Sequence, residues 1–349
     1  MAASRHAGGR LSPRHHPPTP GRLTLHTGPR SLETRTRSFA ETHQLPGDDA
    51  APGLQAQDAP EKKPLTIAEY QLWRSISGAR ISQNGEWVSW TYSRVRGDDT
   101  LHVVKPGTDT EHVIPFASGA QFSDDGAWVA YFVSLSFEEA EKARESDDPV
   151  IRKAELLNLV SGETLNWDDA SSFEFNEGSS HFHVKKRRKD RSADHQGSDL
   201  ILRNLGQGYD ELIGSVDQVG FNKPGSLLAY TVDAADQDGN GLYVVDLATG
   251  SRRALDNAKE RYSQMTWSED GDGLAVLRGD TPDKMTERKN ALVSFTGMDS
   301  GNPRSFVFGP EAGEGLPDGS VISESGGLRW SEDLGTIFVG TKAQEEELE

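Results

Sequence analysis

Phe122-Ser-Asp-Asp-Gly-Ala-Trp-Val-Ala-Tyr131 is the stretch from which the fold follows, because the chain keeps returning to it. Close variants read Ile81-Ser-Gln-Asn-Gly-Glu-Trp-Val-Ser-Trp90, Phe175-Asn-Glu-Gly-Ser-Ser-His-Phe-His-Val184 and Phe221-Asn-Lys-Pro-Gly-Ser-Leu-Leu-Ala-Tyr230. Two more read Trp267-Ser-Glu-Asp-Gly-Asp-Gly-Leu-Ala-Val276 and Trp330-Ser-Glu-Asp-Leu-Gly-Thr-Ile-Phe-Val339. Each phrase is an apolar residue, a Ser or Asn, a polar turn with Gly, and a strand-like run. Asp, Asn and Gly tolerate left-handed backbone angles, so each turn joins two antiparallel strands. After the turn, Trp87 and Ser89 fall on one face and Val88 and Trp90 on the other, because strand side chains alternate.

Further strand pairs fill the intervals. Leu101–Val104 and Glu111–Ile114 flank Gly107, Leu242–Leu247 and Ser251–Leu255 flank Gly250, and Leu156–Val160 precedes Ser161-Gly162. Short strands recurring every 40–60 residues or so, four to a unit, predict an all-β chain: a β-propeller of about six four-stranded blades.

The remainder of the chain departs from this rhythm. Residues 1–60 hold seven Arg, no Lys and five of the ten His, with a charge of +2. They show no apolar period and read as a disordered or targeting arm. The arm lacks the apolar core of about 7–15 residues that a signal peptide needs. Gly53-Leu-Gln-Ala56 nevertheless resembles the tail of a cleavage site, as though a natural leader were missing or mistranslated ahead of Gln57. Residues 61–80 are expected to lead into the propeller through a short helix over Thr66–Trp73, capped by Thr66 and Glu69. The propeller is expected over 81–349. Ser136–Asp148 reads as an exposed helical insertion, with Glu138 and Lys142 spaced to pair along its surface.

Composition removes several classes of function. The 349 residues carry a net charge of −18, which disfavours nucleic acid and anionic membrane surfaces. There is no Cys, hence no disulfide, thiol nucleophile or thiolate metal site. No apolar run is long enough for a membrane span. An apolar content of 34% and a mean hydropathy of −0.64 imply a substantial unpacked fraction.

Five local patterns invite a chemical reading, and each has a plainer one. Asp236-Gln-Asp-Gly-Asn-Gly241 begins like a calcium loop, but its twelfth position is Leu247, so a type I′ hairpin turn at Asn240-Gly241 is expected. Lys185–Arg191 could hold phosphates, yet it has no interleaved aromatics and reads as a solvated loop. His181 and His183 share a strand face without a third zinc ligand nearby, so a packed or surface pair is expected. Glu138 and Glu139 could hold a substrate amine, but they lie on a charged helix face. The Ser/Asp turns resemble sialidase Asp boxes, which need a wider Ser-to-Gly spacing. No Gly-x-Ser-x-Gly elbow, phosphate loop, zinc-protease motif or nicotinamide fingerprint occurs. No catalytic, cofactor or metal residue is assigned.

The stretch Pro64-Leu-Thr-Ile-Ala-Glu-Tyr-Gln-Leu-Trp-Arg-Ser-Ile-Ser-Gly-Ala-Arg-Ile-Ser-Gln-Asn-Gly-Glu-Trp-Val-Ser-Trp90 resembles the start of the mature region in bacterial serine peptidases of the prolyl oligopeptidase family. The insert at 136–148, followed by Ala154-Glu-Leu-Leu-Asn-Leu-Val-Ser-Gly-Glu163, is similar to them too. The resemblance covers roughly 61–342, and its repeats are shared with TolB-like propellers. It implies a propeller that gates peptides for an α/β-hydrolase domain carrying Ser, Asp and His. None of those triad positions has a counterpart in this sequence. Such propellers usually have seven or eight blades, so an unclosed ring with self-associating edges is expected. The expected partners are therefore peptides, a hydrolase domain or a second copy. A free-standing TolB-like scaffold is the alternative, and a lyase or lactonase propeller a third. The compartment would be periplasmic or extracellular if the gene carries a signal peptide, and cytoplasmic otherwise.

Overall fold

The computed structural model describes residues 66–70, 72–309 and 315–347, so the arm at 1–60 lies outside the described residues. A single helical turn, α1 (Ile67–Tyr70), opens this part. The Thr66 backbone amide and hydroxyl both donate to the Glu69 carboxylate, at 2.6 and 3.0 Å, which is the Glu69 half of the expected capping box. The chain becomes a strand at Arg74 rather than continuing helical through Trp73.

Antiparallel meanders then follow one another. The first blade is β1 (Arg74–Ile81), β2 (Val88–Arg94), β3 (Thr100–Val104) and β4 (Glu111–Pro115). The second is β5 (Ala117–Phe122), β6 (Trp128–Val133), β7 (Lys153–Asn158) and β8 (Thr164–Trp167). Between β6 and β7 rises α2 (Phe137–Glu145), the helical insertion. The third blade holds β9 (Ala170–Phe175), β10 (His181–Lys186), β11 (Ser198–Asn204) and the first half of β12 (Tyr209–Phe221). The second half of β12 opens the fourth, with β13 (Leu227–Val232), β14 (Gly241–Asp246) and β15 (Arg252–Asn257). These two blades therefore hydrogen-bond into one seven-stranded sheet. The fifth is β16 (Arg261–Trp267), β17 (Gly273–Asp280), β18 (Lys289–Thr296) and β19 (Arg304–Phe308). The sixth phrase folds as the hairpin β21 (Arg329–Trp330) and β22 (Ile337–Phe338), while β20 (Ser320–Ile322) and β23 (Thr341–Ala343) pair beside β18.

One apolar core lies at each blade-to-blade interface. Trp87, Leu101 and Val103 meet Val129 and Tyr131 between the first and second blades. Ala130, Leu156 and Trp167 meet Phe175 and Phe182 between the second and third. Leu200 and Leu202 meet Leu228 and Tyr230 at the next interface, and Leu227 and Ala229 meet Leu274 and Val276 at the one after. Ala275 and Leu277 close the series against Trp330 and Ile337. Consecutive residues of β13, Leu227 and Leu228, thus enter different cores. This is why the runs after the second, fourth and fifth turns are largely apolar: a strand buried on both faces has no solvent side. Stacked four-stranded blades with one core per interface define a β-propeller.

The phrase itself is a repeated hydrogen-bond device. Ser82, Ser123, Ser268 and Ser331 each accept, through Oγ, the amide hydrogen of the residue five positions on, at 2.8–3.0 Å. Each Oγ donates to the Asn or Asp two positions on. Asn176 and Asn222 accept the same amide through Oδ1, at 2.7 and 2.8 Å. Their Nδ2 atoms are thereby freed to reach the next blade's turn, at Gly225 O (2.8 Å) and Gly271 O (3.5 Å). Asn84 likewise donates to Asp125 O, and Ser179 Oγ accepts from the Asp124 amide at 2.7 Å. A belt of polar contacts therefore links the turns from the first blade to the fifth.

A second repeated device sits in the innermost strands. Three residues before the phrase the backbone turns left-handed, at Gly78, Gly119, Gln264 and Gly327. The ladder is bulged beside the first three. A third marks the crossovers: Phe116, Asp169 and Ser215, each just before an innermost strand, have φ of 62°, 55° and 57°. The twist aims each carbonyl at the chain leaving the next blade's second strand, namely at the Ser134, Arg187 and Asp233 amides.

Candidate functional site

The only hydrogen bond between Ser and His side chains among the described residues joins Ser180 Oγ and His181 Nδ1, at 2.9 Å. It resembles a nucleophile–base pair, and its wiring decides against that. Asn204 Oδ1 accepts from the Gln207 amide, so its Nδ2 is the group that faces His181 Nε2 at 3.1 Å, as donor. Nε2 is then the acceptor, and Nδ1 carries the proton and gives it to Ser180. Ser180 Oγ also receives Asn176 Nδ2 at 2.9 Å. The imidazole has no lone pair left to take a proton from Ser180. Burial further holds the His181 pKa below its ordinary value.

His183 lies on the same face of β10, fully buried, with Nε2 3.3 Å from Glu174 Oε2 and its ring 5.3 Å from Phe221. The pair is packed into the third and fourth blades, and no cluster of three metal-ligating side chains occurs among the described residues.

Glu139 is taken up by local structure. It is the third residue of α2, where its carboxylate accepts from the Ser136 amide and hydroxyl while Ser136 Oγ accepts from the Glu139 amide. These hydrogen bonds hold its carboxyl below the usual range. The expected Glu138–Lys142 pair is not formed; the helix instead places Glu141 3.6 Å from Arg96. Ser136-x-x-Glu139 is a capping box that the sequence displays plainly.

The Asp236–Gly241 segment connects β13 and β14 as a hairpin, but the turn differs from type I′. Gln237 takes the left-handed angle, and Gly241 already belongs to β14. The cause is Asn240, whose buried side chain accepts from the Ala234 amide and donates to Lys259 O, fixing it in a non-turn conformation.

The basic run is where structure and expectation part most. Lys185 and Lys186 end β10, and their ammonium groups turn inward to the carbonyl oxygens of Asp217 and Asp168. Burial pushes the Lys185 pKa down, and it pushes that of Asp217 opposite up. Arg187 lies 3.5 Å from the Asp169 carboxylate. Arg188 donates to His195 O (2.8 Å) and Arg191 O (2.9 Å). Only Lys189 to Arg191 project as a solvated loop does. Lys185, Lys186 and Arg187 fold back because each finds a carbonyl or carboxylate 18 or more residues away, where no local pattern could show it.

No protein-family model and no curated protein matches this sequence. Solved structures resemble it at low identity. The β-propeller domain of the Trilobed protease from Pyrococcus furiosus is 13% identical over 77% of this chain and 78% of that one, with TM-score 0.39. TolB from Acinetobacter baumannii is 13% identical over 67% and 54%, with TM-score 0.30. Acylaminoacyl peptidase from Pyrococcus horikoshii is 11% identical over 80% and 46%, with TM-score 0.35, so this chain spans under half of its length. The class is that of the β-propellers, and it rests on the blades and their interfaces. Among the described residues no helix is long and apolar enough to cross a membrane.

Proposed function

We propose that this chain is the noncatalytic propeller portion of a serine peptidase of the prolyl oligopeptidase family, gating or positioning peptides for a hydrolase domain. The observation that carries the reading is the resemblance of Pro64–Trp90, together with the fold it enters: one capped turn, an innermost strand and the first phrase of a bladed meander. The α2 insertion between β6 and β7 supports it. The Ser180–His181 wiring is consistent with chemistry supplied from outside the chain. A fluorophosphonate probe for activated serines is expected to leave the purified chain unlabelled, with no turnover of dipeptidyl or acyl-aminoacyl reporter peptides. Labelling, or turnover of either reporter, overturns the reading. Sequencing beyond codon 349 is expected to reveal a hydrolase with a Gly-x-Ser-x-Gly elbow, and its absence favours the reading below.

That second reading, a TolB-like interaction scaffold, is favoured by one surface. The outer face of the first blade carries Trp90, Tyr92 and His102, with the Trp90 and His102 rings stacked at 5.2 Å and Tyr92 edge-on to His102 at 5.0 Å. Ile76 and Val113 beside them are 63% and 52% exposed. No core covers this face among the described residues, and Trp90 Nε1 is buried without an acceptor. On either reading the chain is expected to self-associate through this face, giving a concentration-dependent larger species on a sizing column that Trp90→Ala reduces. A monodisperse monomer at every concentration rules that out.

A further inference from the structure

The basic run borders an open cleft of about 400 Å³, lined by Asp169, Lys186, Arg187, Arg188, His195 and the exposed Lys189, among others. A neighbouring cleft of about 450 Å³ shares Arg187 and Lys189 and adds Arg144 and Arg191 together with Asp147 and Asp148. In a chain of net charge −18, cations outnumber carboxylates along these two clefts.

Three observations indicate what the first cleft would accept. First, Lys186, Arg188 and Lys189 form no salt bridge among the described residues, so their charge is not neutralised by a contacting carboxylate. Arg188 is held by two carbonyls, which fix its plane, and it also feels the nearby Asp190 and Asp217 carboxylates without contacting either. Second, Arg187 Nε and His195 Nδ1 are buried without a hydrogen-bond partner. A buried unpaired donor costs about 1–3 kcal/mol, a penalty that a ligand oxygen would relieve. Third, the wall carrying His195 is fixed. The Gln196 amide donates to Asp233 Oδ2 at 2.7 Å, and a side chain at Gly197 would stand 2.7 Å from the Ser215 carbonyl carbon. Three carboxylates also line the cleft and oppose an anion: Asp169, Asp190 and Asp199. Asp169 lies 3.5 Å from Arg187, with its Oδ1 otherwise unpartnered. Asp190 Oδ1 is taken by the Ser192 amide and hydroxyl, at 2.9 and 2.7 Å.

We propose that this pocket is a binding site for a small oxyanion, a phosphate or a carboxylate group, seated against Arg187, Lys189 and His195. A guanidinium edge presents donors to an oxyanion in the manner of other charge-assisted sites, and the proposal requires His195 to carry its proton on Nδ1. The proposal does not depend on the peptidase reading, because it follows from the donors and not from the family.

Titration calorimetry on the full chain tests it, with inorganic phosphate in one arm and a tripeptide in the other, offered as free acid and as C-terminal amide. The expected result is saturable heat with phosphate, with the free acid, or with both, weakened roughly tenfold in Lys189→Ala/His195→Ala. Raising NaCl from about 50 to about 250 mM should weaken it further by screening. Lys259→Ala, in an exposed pair with Asp238 elsewhere, should leave it unchanged. Arg187→Lys keeps the charge but removes Nε, and is expected to weaken binding while a thermal melt stays cooperative. Phosphate heat alone names phosphate as the source. Heat from the free acid and not the amide names a peptide carboxylate. No saturable heat with phosphate or the free acid overturns the site, as does undiminished affinity in the double variant.

Discussion

Gly225→Ala is expected to lower the unfolding free energy of this protein by about 3–5 kcal/mol, read from urea denaturation, whereas Gly107→Ala lowers it by about 1 kcal/mol. Both glycines sit in hairpin turns with left-handed φ, 70° at Gly225 and 80° at Gly107. An L residue in that region costs about 1–2 kcal/mol, and the two variants share this component. They differ in what a side chain would meet. At Gly107 nothing lies within 4 Å. At Gly225 a methyl group would stand on the Glu177 carbonyl oxygen and 2.8 Å from its amide nitrogen, both of them backbone of the preceding blade's turn. That turn cannot retreat, because Asn176 holds the His181 amide with Oδ1 and Gly225 O with Nδ2. The difference between the variants therefore measures the belt of turns rather than turn strain. Equal losses at the two positions would show that the belt contributes nothing. Gly271 repeats the arrangement one blade on, where a side chain would stand 2.5 Å from Pro224 Cδ.

Phe182→Ala is expected to cost about 3–5 kcal/mol, while Phe182→Leu, which keeps most of the volume, should cost under about 2 kcal/mol. Phe182 is fully buried on β10, facing the second blade. Its ring lies 4.7 Å from Phe175 and 5.7 Å from both Trp167 and Phe173. The neighbours belong to strands of two blades, so they cannot collapse together without moving one sheet against the other, and the cavity stays open. Trp167 reports the site by fluorescence, since its Nε1 is fixed to Asp210 Oδ2 at 2.9 Å in the folded state. A loss below about 1.5 kcal/mol in the Ala variant would mean that the interface repacks, and that the blades are not rigidly stacked.

The resemblance at Pro64–Trp90 was visible before any coordinate, and so were the turns, since Ser–x–Asp–Gly closes its hydrogen bonds within five residues. The candidate site was less legible. Lys185–Arg191 looks like a solvated loop from its composition, but Lys185 reaches Asp217 and Lys186 reaches Asp168, partners that follow from no local pattern. The left-handed residue three positions before four of the six phrases was present as Gly78, Gly119 and Gly327, and was obscured because Gln264 occupies the remaining one. The same holds for the shared strand β12: no residue marks a blade boundary there, because Ser215 bends the chain without breaking the ladder.

The amino-acid order by itself determined the blade unit and its turn chemistry, because each depends on residues a few positions apart. The tertiary structure alone decided which blades lock through Asn176 and Asn222, how the His181 tautomer is set, and that the basic run borders a cleft. Those outcomes depend on groups about 20–50 residues apart, brought together on neighbouring strands or neighbouring blades, where contact is set by the pairing and packing of sheets and not by local spacing.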